Sequence, residues 1–470
     1  MDDIGSSTTD VSTRSTIIKG AIALAFGLLV MLAPRPDNLT PEGHRLLALL
    51  ITVVILWVSE AVPIGVTALL AGAGMILFNI QTPEGAWAPF ASPAVMFVLM
   101  IIMFGVVLTE VGLANRMIYY LIKFAGTKIK RLSLILAVGC SIASSVFHDA
   151  TITVIMVFAF VPVFMSMGLK PGMGHKLPMF FFLLIPLSAS AGGFGTLLGG
   201  GRNPVALQIL EDFSQGRIRI GFMEYILIQF PICVAAALVT WLVLWVLLRP
   251  KEKELLGVRM SDPGPMSRRE FGVLVVFGIT FIVWFLGDLT GWHYSVPAAI
   301  ALLGFCAPGW ISFRTICDKF PWESWIVFGA GVSLGVAMLE SGAGQYLGEA
   351  FLPVLDGKPT FVVYYGMGLF GSVLSSAMSN SAAVALMLPI TLPMAELMDM
   401  SPQAVALLAP QTTSFIMLVI GCPPTIIAYS TGYFSQKDFA KAAVPWSLIL
   451  LLVCTLSVML YWPLIGLTPG

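Results

Sequence analysis

The sequence predicts an all-α polytopic membrane protein, with about eleven transmembrane helices and two re-entrant hairpins in two inverted repeats. Three observations predict it. The chain is 58% hydrophobic and 11% charged, with a mean hydropathy of +0.93, whereas a soluble domain is about 25% charged. Apolar runs of spanning length recur from end to end. Stretches of the first half recur, in order, in the second.

The apolar runs come first. Residues 17–33, 46–58 continuing through 61–78, and 444–461 are examples, and roughly 20 such residues cross a bilayer core. The alternating pattern of a membrane β-barrel is absent. The 25 basic residues balance the 25 acidic ones, so no bulk attraction to nucleic acid is implied and the lipid bilayer is the expected surrounding. Six cysteines are scattered without a CxxC pair, which argues against a disulfide framework and a zinc site. Residues 1–43 read as a polar tail with Asp2, Asp3 and Asp10, then a first helix. No basic n-region or small-residue cleavage site precedes that helix, so it reads as retained rather than as a signal peptide.

The repeat is visible in four ordered matches. "SSVFHDATITVIM" (residues 144–156) falls without a gap on "SSAMSNSAAVALM" (residues 375–387), and Pro162 falls on Pro393. Upstream, "LTEVGLA" at 108–114 matches "MLESGAG" at 338–344; downstream, "GGGRN" at 199–203 matches "GCPPT" at 421–425. Ordered self-similarity of this kind marks a duplicated half. The first repeat is set at residues 44–248, with a hairpin near 133–165, and the second at 271–470, with a hairpin near 360–397. Residues 249–270, the longest charged stretch, form the linker.

Basic residues orient the chain. With the N-terminus in the cytoplasm, the cytoplasmic segments hold Arg14, Lys19, Lys123, Lys128, Lys130, Arg131, Lys170, Lys176, the Arg249–Arg269 linker, Arg314, Lys319, Lys437 and Lys441. The outer segments hold Arg35, Arg45, Arg217, Arg219 and Lys358, which is the expected positive-inside bias. Arg217 and Arg219 have no explanation in this scheme. The connector before the first hairpin is basic and inside, and its counterpart before the second is outside, so the halves are inverted.

Both serine-rich stretches mix hydroxyl, amide and acid groups into apolar sequence. "SASAGGFGTLLGGGRNP" and "TSFIMLVIGCPPT" bring glycine and proline clusters that break helix. Non-helical backbone at membrane depth must line a cavity or lie inside protein. Its carbonyls suit a cation, and the helix N-termini beside it suit an anion. Glycine and small hydroxyl residues also serve ordinary helix contacts in membranes. Four such segments, symmetrically placed, point instead to two ion sites flanking one substrate, a transporter plan.

The chain resembles the divalent anion/sodium symporters, which move dicarboxylates, citrate or sulfate. "WVSEAVPIGVTALL" (57–70), "SNSAAVALMLP" (379–389) and "GCPPTIIAYSTGYFSQKDFAKAAVP" (421–445) carry the resemblance, with Ser381 in place of Thr and Thr425 in place of Asn. It implies a homodimer of elevators in a bacterial inner membrane, each protomer with a scaffold part and a transport part, and Na+ as the coupling ion. It implies a first sodium site of Ser144, His148, Asp149 and backbone at Gly199. A second would use Ser375, Asn380 and backbone at Met378 and Gly421. Substrate carboxylates would meet Ser379, Asn380 and Ser381, with Thr425 nearby, on one side, and His148, Asp149, Thr151 and Arg202 on the other. The first half departs from the family pattern: His148-Asp149-Ala150 stands for Ser-Asn-Thr, and Gly201-Arg202-Asn203 for the Pro-Pro-Asn-like element.

Four roles are open for Asp149. It can ligate sodium, carry a proton with His148, meet a cationic substrate group, or form a structural salt bridge with Arg202. A bare carboxylate repels a dianion, so a cation, a proton or Arg202 must offset it. Proton-coupled transport or exchange of a zwitterionic or sulfonate-type anion is therefore an alternative, as is sodium/proton antiport. No HExxH motif, catalytic Asp pair or Ser-His arrangement supports an enzyme. A channel would not need broken helices that occlude a site. His44, His175 and His293 read as solvated residues near helix ends, and Glu60 and Glu110 as structural or only weakly suspect groups.

Overall fold

A computed structural model describes residues 13–59, 61–255, 262–287, 291–355 and 357–469. Glu60 and the acidic tail with Asp2, Asp3 and Asp10 lie outside these residues. The described residues are helical and include no strand; one isolated bridge joins Lys128 and Glu254. Among the described residues, eight helical segments are long and apolar enough to cross a bilayer, and four shorter apolar helices accompany them.

Helix α1 (Thr13–Leu32) packs on α2 (Pro41–Ser59) and has no counterpart. From α2 onward the chain runs through α3 (Ile64–Leu77), α4 (Pro83–Trp87), α5 (Pro93–Glu110), α6 (Leu113–Ala125), α7 (Ile129–Ser144), α8 (Asp149–Ser166), α9 (Lys176–Gly192), α10 (Arg202–Phe213) and α11 (Phe222–Leu248). The same succession of long, short and broken helices then returns. It runs through α12 (Arg268–Phe285), α13 (Ser295–Cys306), α14 (Phe313–Lys319), α15 (Trp322–Glu340), α16 (Ala343–Leu355), α17 (Thr360–Ala377), α18 (Asn380–Leu397), α19 (Pro402–Thr412), α20 (Pro423–Tyr429) and α21 (Gln436–Leu456).

The junctions repeat as well as the lengths. Both α5 and α15 end in glutamate and are followed by a glycine in the left-handed region, Gly112 at φ 96° and Gly342 at φ 71°. Only glycine turns there without a Cβ clash. Each glutamate is held by the other half: Glu110 pairs with Lys319 at 2.6 Å, and Glu340 accepts from Gln81 at 2.6 Å. This gives Glu110 a structural task. Helices α11 and α21 begin alike, with Glu224 and Asp438 reaching back to the backbone N–H of Gly221 and Ser435, and each carries a proline as its tenth residue, Pro231 and Pro445. An acid at the third helical position satisfies one of the free N–H groups of a first turn.

Packing crosses the halves at the centre. Broken helix α10 lies against α18 and α19 of the second half, and α20 lies against α8 and α9 of the first. Each break therefore faces the other half's hairpin. A buried glutamine pair fastens α11 to α19: Gln411 donates to Gln229 at 2.5 Å, and Gln229 donates to the Leu407 carbonyl at 2.7 Å.

The linker is stitched to the first half. Ile129 N–H donates to the Lys253 carbonyl at 3.0 Å, and Leu255 N–H to that of Thr127 at 2.8 Å. Arg116 of α6 forms a bidentate pair with Glu270 at 2.9 and 3.0 Å and also donates to the Gly264 carbonyl. Both side chains are buried. The hydrogen bond from Arg116, reinforced by Ser267, holds the Glu270 carboxyl below its usual range. Stability drawn from this pair is complete above the ordinary carboxylate pKa and is lost as pH falls through the depressed value. Glu270→Gln should lower the thermal melting point in detergent by a few degrees and flatten its decline at acid pH. Arg116→Met with Glu270→Met, which leaves no charge unpaired, should melt above either single variant.

Candidate functional site

Two helix breaks build the centre. In the first hairpin α7 ends at Ser144, and His148 caps α8, whose first residue is Asp149. In the second, α17 ends before Met378, whose backbone is extended (φ −147°, ψ 177°), and Ser379 caps α18, whose first residue is Asn380. Asp149 and Asn380 thus occupy the same position, one residue inside a helix N-terminus. That end of a helix favours negative charge and oxygen acceptors. Asp149 uses it directly: its Oδ1 accepts from Ala150 N–H at 2.8 Å and lies 3.2 Å from His148 Nδ1.

The loops after α9 and α19 are closed by the helices that follow them. Asn203 donates its amide N–H groups to the carbonyls of Gly193 (2.8 Å) and Thr196 (2.6 Å). Thr425, its counterpart, donates to those of Val419 (2.6 Å) and Cys422 (2.8 Å). Each loop is also tied to its own hairpin. The Thr196 hydroxyl donates to the Ser145 carbonyl, and the Ser372 and Ser375 hydroxyls donate to those of Phe415 and Thr413. Carbonyls left bare by a broken helix in an apolar medium cost too much to stand unpaired.

Arg202 lies between the two tips. It is 3% exposed, against 4% for Asp149 and 7% for Asn380. Its Nη1 is 3.7 Å from Asp149 Oδ2. With the Asn380 amide turned so that both its ends find partners, Nη1 also donates to Asn380 Oδ1 at 2.9 Å. The Asn380 nitrogen then donates to the Thr413 carbonyl (3.2 Å) and to Ser375 Oγ (2.7 Å). Nη2 reaches the Ser190 carbonyl at 3.3 Å. The guanidinium rests on the backbone of Gly193, where an added Cβ would come within 2.0 Å of Nη2. Glycine at 193 is what admits the group.

The first set of residues singled out in the sequence forms two contacts: His148 touches Asp149, and Gly199 is packed on the Ser144 carbonyl. Thr151 lies half-buried in the first turn of α8. The second set converges, with Ser375 bonded to Asn380 and Gly421 packed on the Ser375 carbonyl. Ser379 caps α18, Ser381 is buried beside Asn380, and Met378 forms the break. Thr425 is nearby, but its hydroxyl is turned to its own loop. The matching serines differ: Ser375 is engaged with Asn380 and the Thr413 carbonyl, whereas the buried Ser144 hydroxyl has no hydrogen-bond partner. The Asp149 carboxylate lies against Ala150, His148 and Arg202. Of the remaining histidines, His293 is not simply solvated; it is half-buried, with Nδ1 2.8 Å from Ser295 Oγ.

Sequence reasoning passed over Ser190 and Cys422, whose Oγ and Sγ meet at 3.3 Å and join the end of α9 to the start of α20. It also passed over Thr413, which accepts from the second hairpin. The hydroxyl-rich ends of α9 and α19, "SAS" and "QTTS", were the available signal, since hydroxyls that close a helix have somewhere to donate.

A family model described as the sodium:sulfate symporter transmembrane region matches residues 14–468. A sodium-dependent dicarboxylate transporter, SdcS, from Staphylococcus saprophyticus is 24% identical, over 94% of this chain and 90% of its own length. An uncharacterised transporter of Haemophilus influenzae is 25% identical, over 90% and 92%. Among solved structures, the YdaH transporter of Alcanivorax borkumensis superposes with a TM-score of 0.58 at 14% identity, covering 97% of this chain and 98% of that one. MtrF of Neisseria gonorrhoeae superposes with a TM-score of 0.55 at 14% identity, covering 95% and 94%. These two likenesses concern the fold.

The fit of Arg202 on Gly193 can be tested without a substrate. Gly193→Ala should displace the guanidinium and cost roughly 1–3 kcal/mol, as overpacking does, read as a lower melting point. Gly105→Ala, where an added Cβ meets nothing within 4 Å, should leave the melting point within error of the parent.

Proposed function

The chain belongs to the sodium:sulfate symporter family, a family of transporters and not enzymes, and from that premise we propose that it is a sodium-coupled carrier of a small dicarboxylate- or sulfate-like anion. The observation that carries the proposal is the meeting of two helix breaks at one buried, polar centre. Asn380, Ser375 and the Thr413 carbonyl stand on one side of it, with Asp149 and Arg202 on the other. An anion needs donors and helix N-termini, and a sodium ion needs oxygens; both are present there. The SdcS relative is a sodium-dependent dicarboxylate transporter, which supports the choice of ion and of substrate class.

In this reading sodium is held at the second tip by Ser375, by Asn380 with its amide oxygen turned toward Ser375, and by backbone at Met378 and Gly421. The anion lies between the tips, against Ser379, Asn380 and Ser381 on one side and His148, Thr151 and Arg202 on the other. Ser144, His148, Asp149 and Gly199 form the matching tip of the first half. Two hairpins, each covered by the other half's broken helix, suit a unit that moves as one body. We assign α7–α11 and α17–α21 to a moving transport part. The remaining helices form a scaffold that pairs with a second copy, and transport proceeds as an elevator. The repeats at 44–248 and 271–470 are inverted across the membrane, with the N-terminus and the 249–270 linker in the cytoplasm of a bacterial cell.

Uptake of radiolabelled succinate, citrate and sulfate into proteoliposomes, with and without a sodium gradient, tests the proposal. At least one of these anions should accumulate only with inward sodium. Asn380→Ala should lose that uptake by at least tenfold while keeping expression and oligomeric state, because a buried amide that serves both ion and anion loses roughly a few kcal/mol. Sodium-independent uptake driven by a pH gradient would replace sodium with protons carried by the His148–Asp149 pair. Near-parental uptake in Asn380→Ala would place the site elsewhere.

A further inference from the structure

The two tips are built on one plan but differ in charge. In the second half every group facing the tip is neutral: Ser375, Asn380, the Thr413 carbonyl and the closed loop up to Thr425. In the first half two charges of opposite sign enter together. Asp149 stands where Asn380 stands, and Arg202 stands where Pro424 stands, one residue before the loop-closing Asn203 or Thr425.

The surroundings of the guanidinium are those of a bound cation. Its partners are a carboxylate oxygen of Asp149, an amide oxygen of Asn380 and the backbone carbonyl of Ser190. Such an oxygen set suits a hard cation. The group lies over Gly193 and Gly200, inside the turn of the broken helix, with space made by the absence of side chains. It is nine-tenths buried or more, so solvent does not screen it. The single negative charge of Asp149 is balanced by Arg202. A sodium ion brought to the same tip would add a positive charge that no carboxylate there is left to offset, in a medium of low dielectric.

We propose that the guanidinium of Arg202 is the built-in cation of the first tip, so that the protein binds one mobile sodium ion per chain, at the second tip, instead of two. This rests on the sodium-coupled reading above and specifies its ion count. It also gives Arg202 a second effect: the Asn380 oxygen that Arg202 holds is the one a sodium ion at the second tip needs, so the ion binds with the amide turned from Arg202 toward Ser375.

The test counts sodium alone, with no anion required. Binding of radioactive sodium to the purified full-length protein, by scintillation proximity, should give one ion per chain and a non-cooperative isotherm. Asp149→Asn combined with Arg202→Pro gives the first half the second tip's residues at the two charged positions, and proline is tolerated at the first position of a helix. That double variant should bind two ions per chain. Arg202→Lys, which keeps the charge, should still bind one and shows whether the position tolerates change at all. Two ions per chain in the parent protein would overturn the proposal and leave sodium coupling standing. A double variant that keeps its parental melting point yet binds only one ion would also overturn it. No sodium binding by the parent would instead remove the sodium-coupled reading on which the count depends.

Discussion

Helices broken inside apolar protein leave carbonyl and N–H groups that no water can reach, and the centre of this molecule is organised by the need to pair them. The means are local and repeated. A side chain from the turn after the break, Asn203 or Thr425, folds back to close the loop, and hydroxyls from the hairpin, Ser372 and Ser375, close it from the other side. The hairpin ends, in turn, are covered by the broken helix of the opposite half. Each break is thus paired within its own half and covered by the other, and the two halves meet around a shared centre.

The fold class was legible because membranes impose long apolar runs, and a chain with so few charges can form little else. The breaks were legible for the converse reason. Serine, asparagine, glycine and proline clusters stand out against leucine and valine, and "SSVFHDAT" and "SSAMSNSA" mark the two turns between helices. The junction glycines Gly112 and Gly342 fall in stretches the sequence had already aligned. The matching starts of α11 and α21 did not announce themselves, because Glu224 and Asp438 serve one backbone N–H each and lie in otherwise different sequence.

The centre was legible in part. Asp149 and Arg202 drew notice as charges in apolar sequence, and buried charges seldom lack partners. That Arg202 also reaches Asn380, 178 positions along the chain, could not be read from spacing, because it depends on α10 packing against α18. Ser190, Cys422 and Thr413 were hidden for a similar reason. Small hydroxyl and thiol groups are common in membrane helices, and only the crossing of α9 with α20 brings Ser190 to Cys422.

The arginine between the tips has an evolutionary corollary. Duplication starts with two interchangeable halves, and most of this chain still reads that way. At Arg202 the exchange symmetry is gone. A chain made of two second halves would have tips of neutral groups and no guanidinium between them. A chain made of two first halves would set two arginines against two aspartates and would have no asparagine for either arginine to hold. Each half now supplies something the other lacks, so neither can drift back toward its twin without a compensating change across the centre. A duplicated domain has become a heterodimer written on one polypeptide.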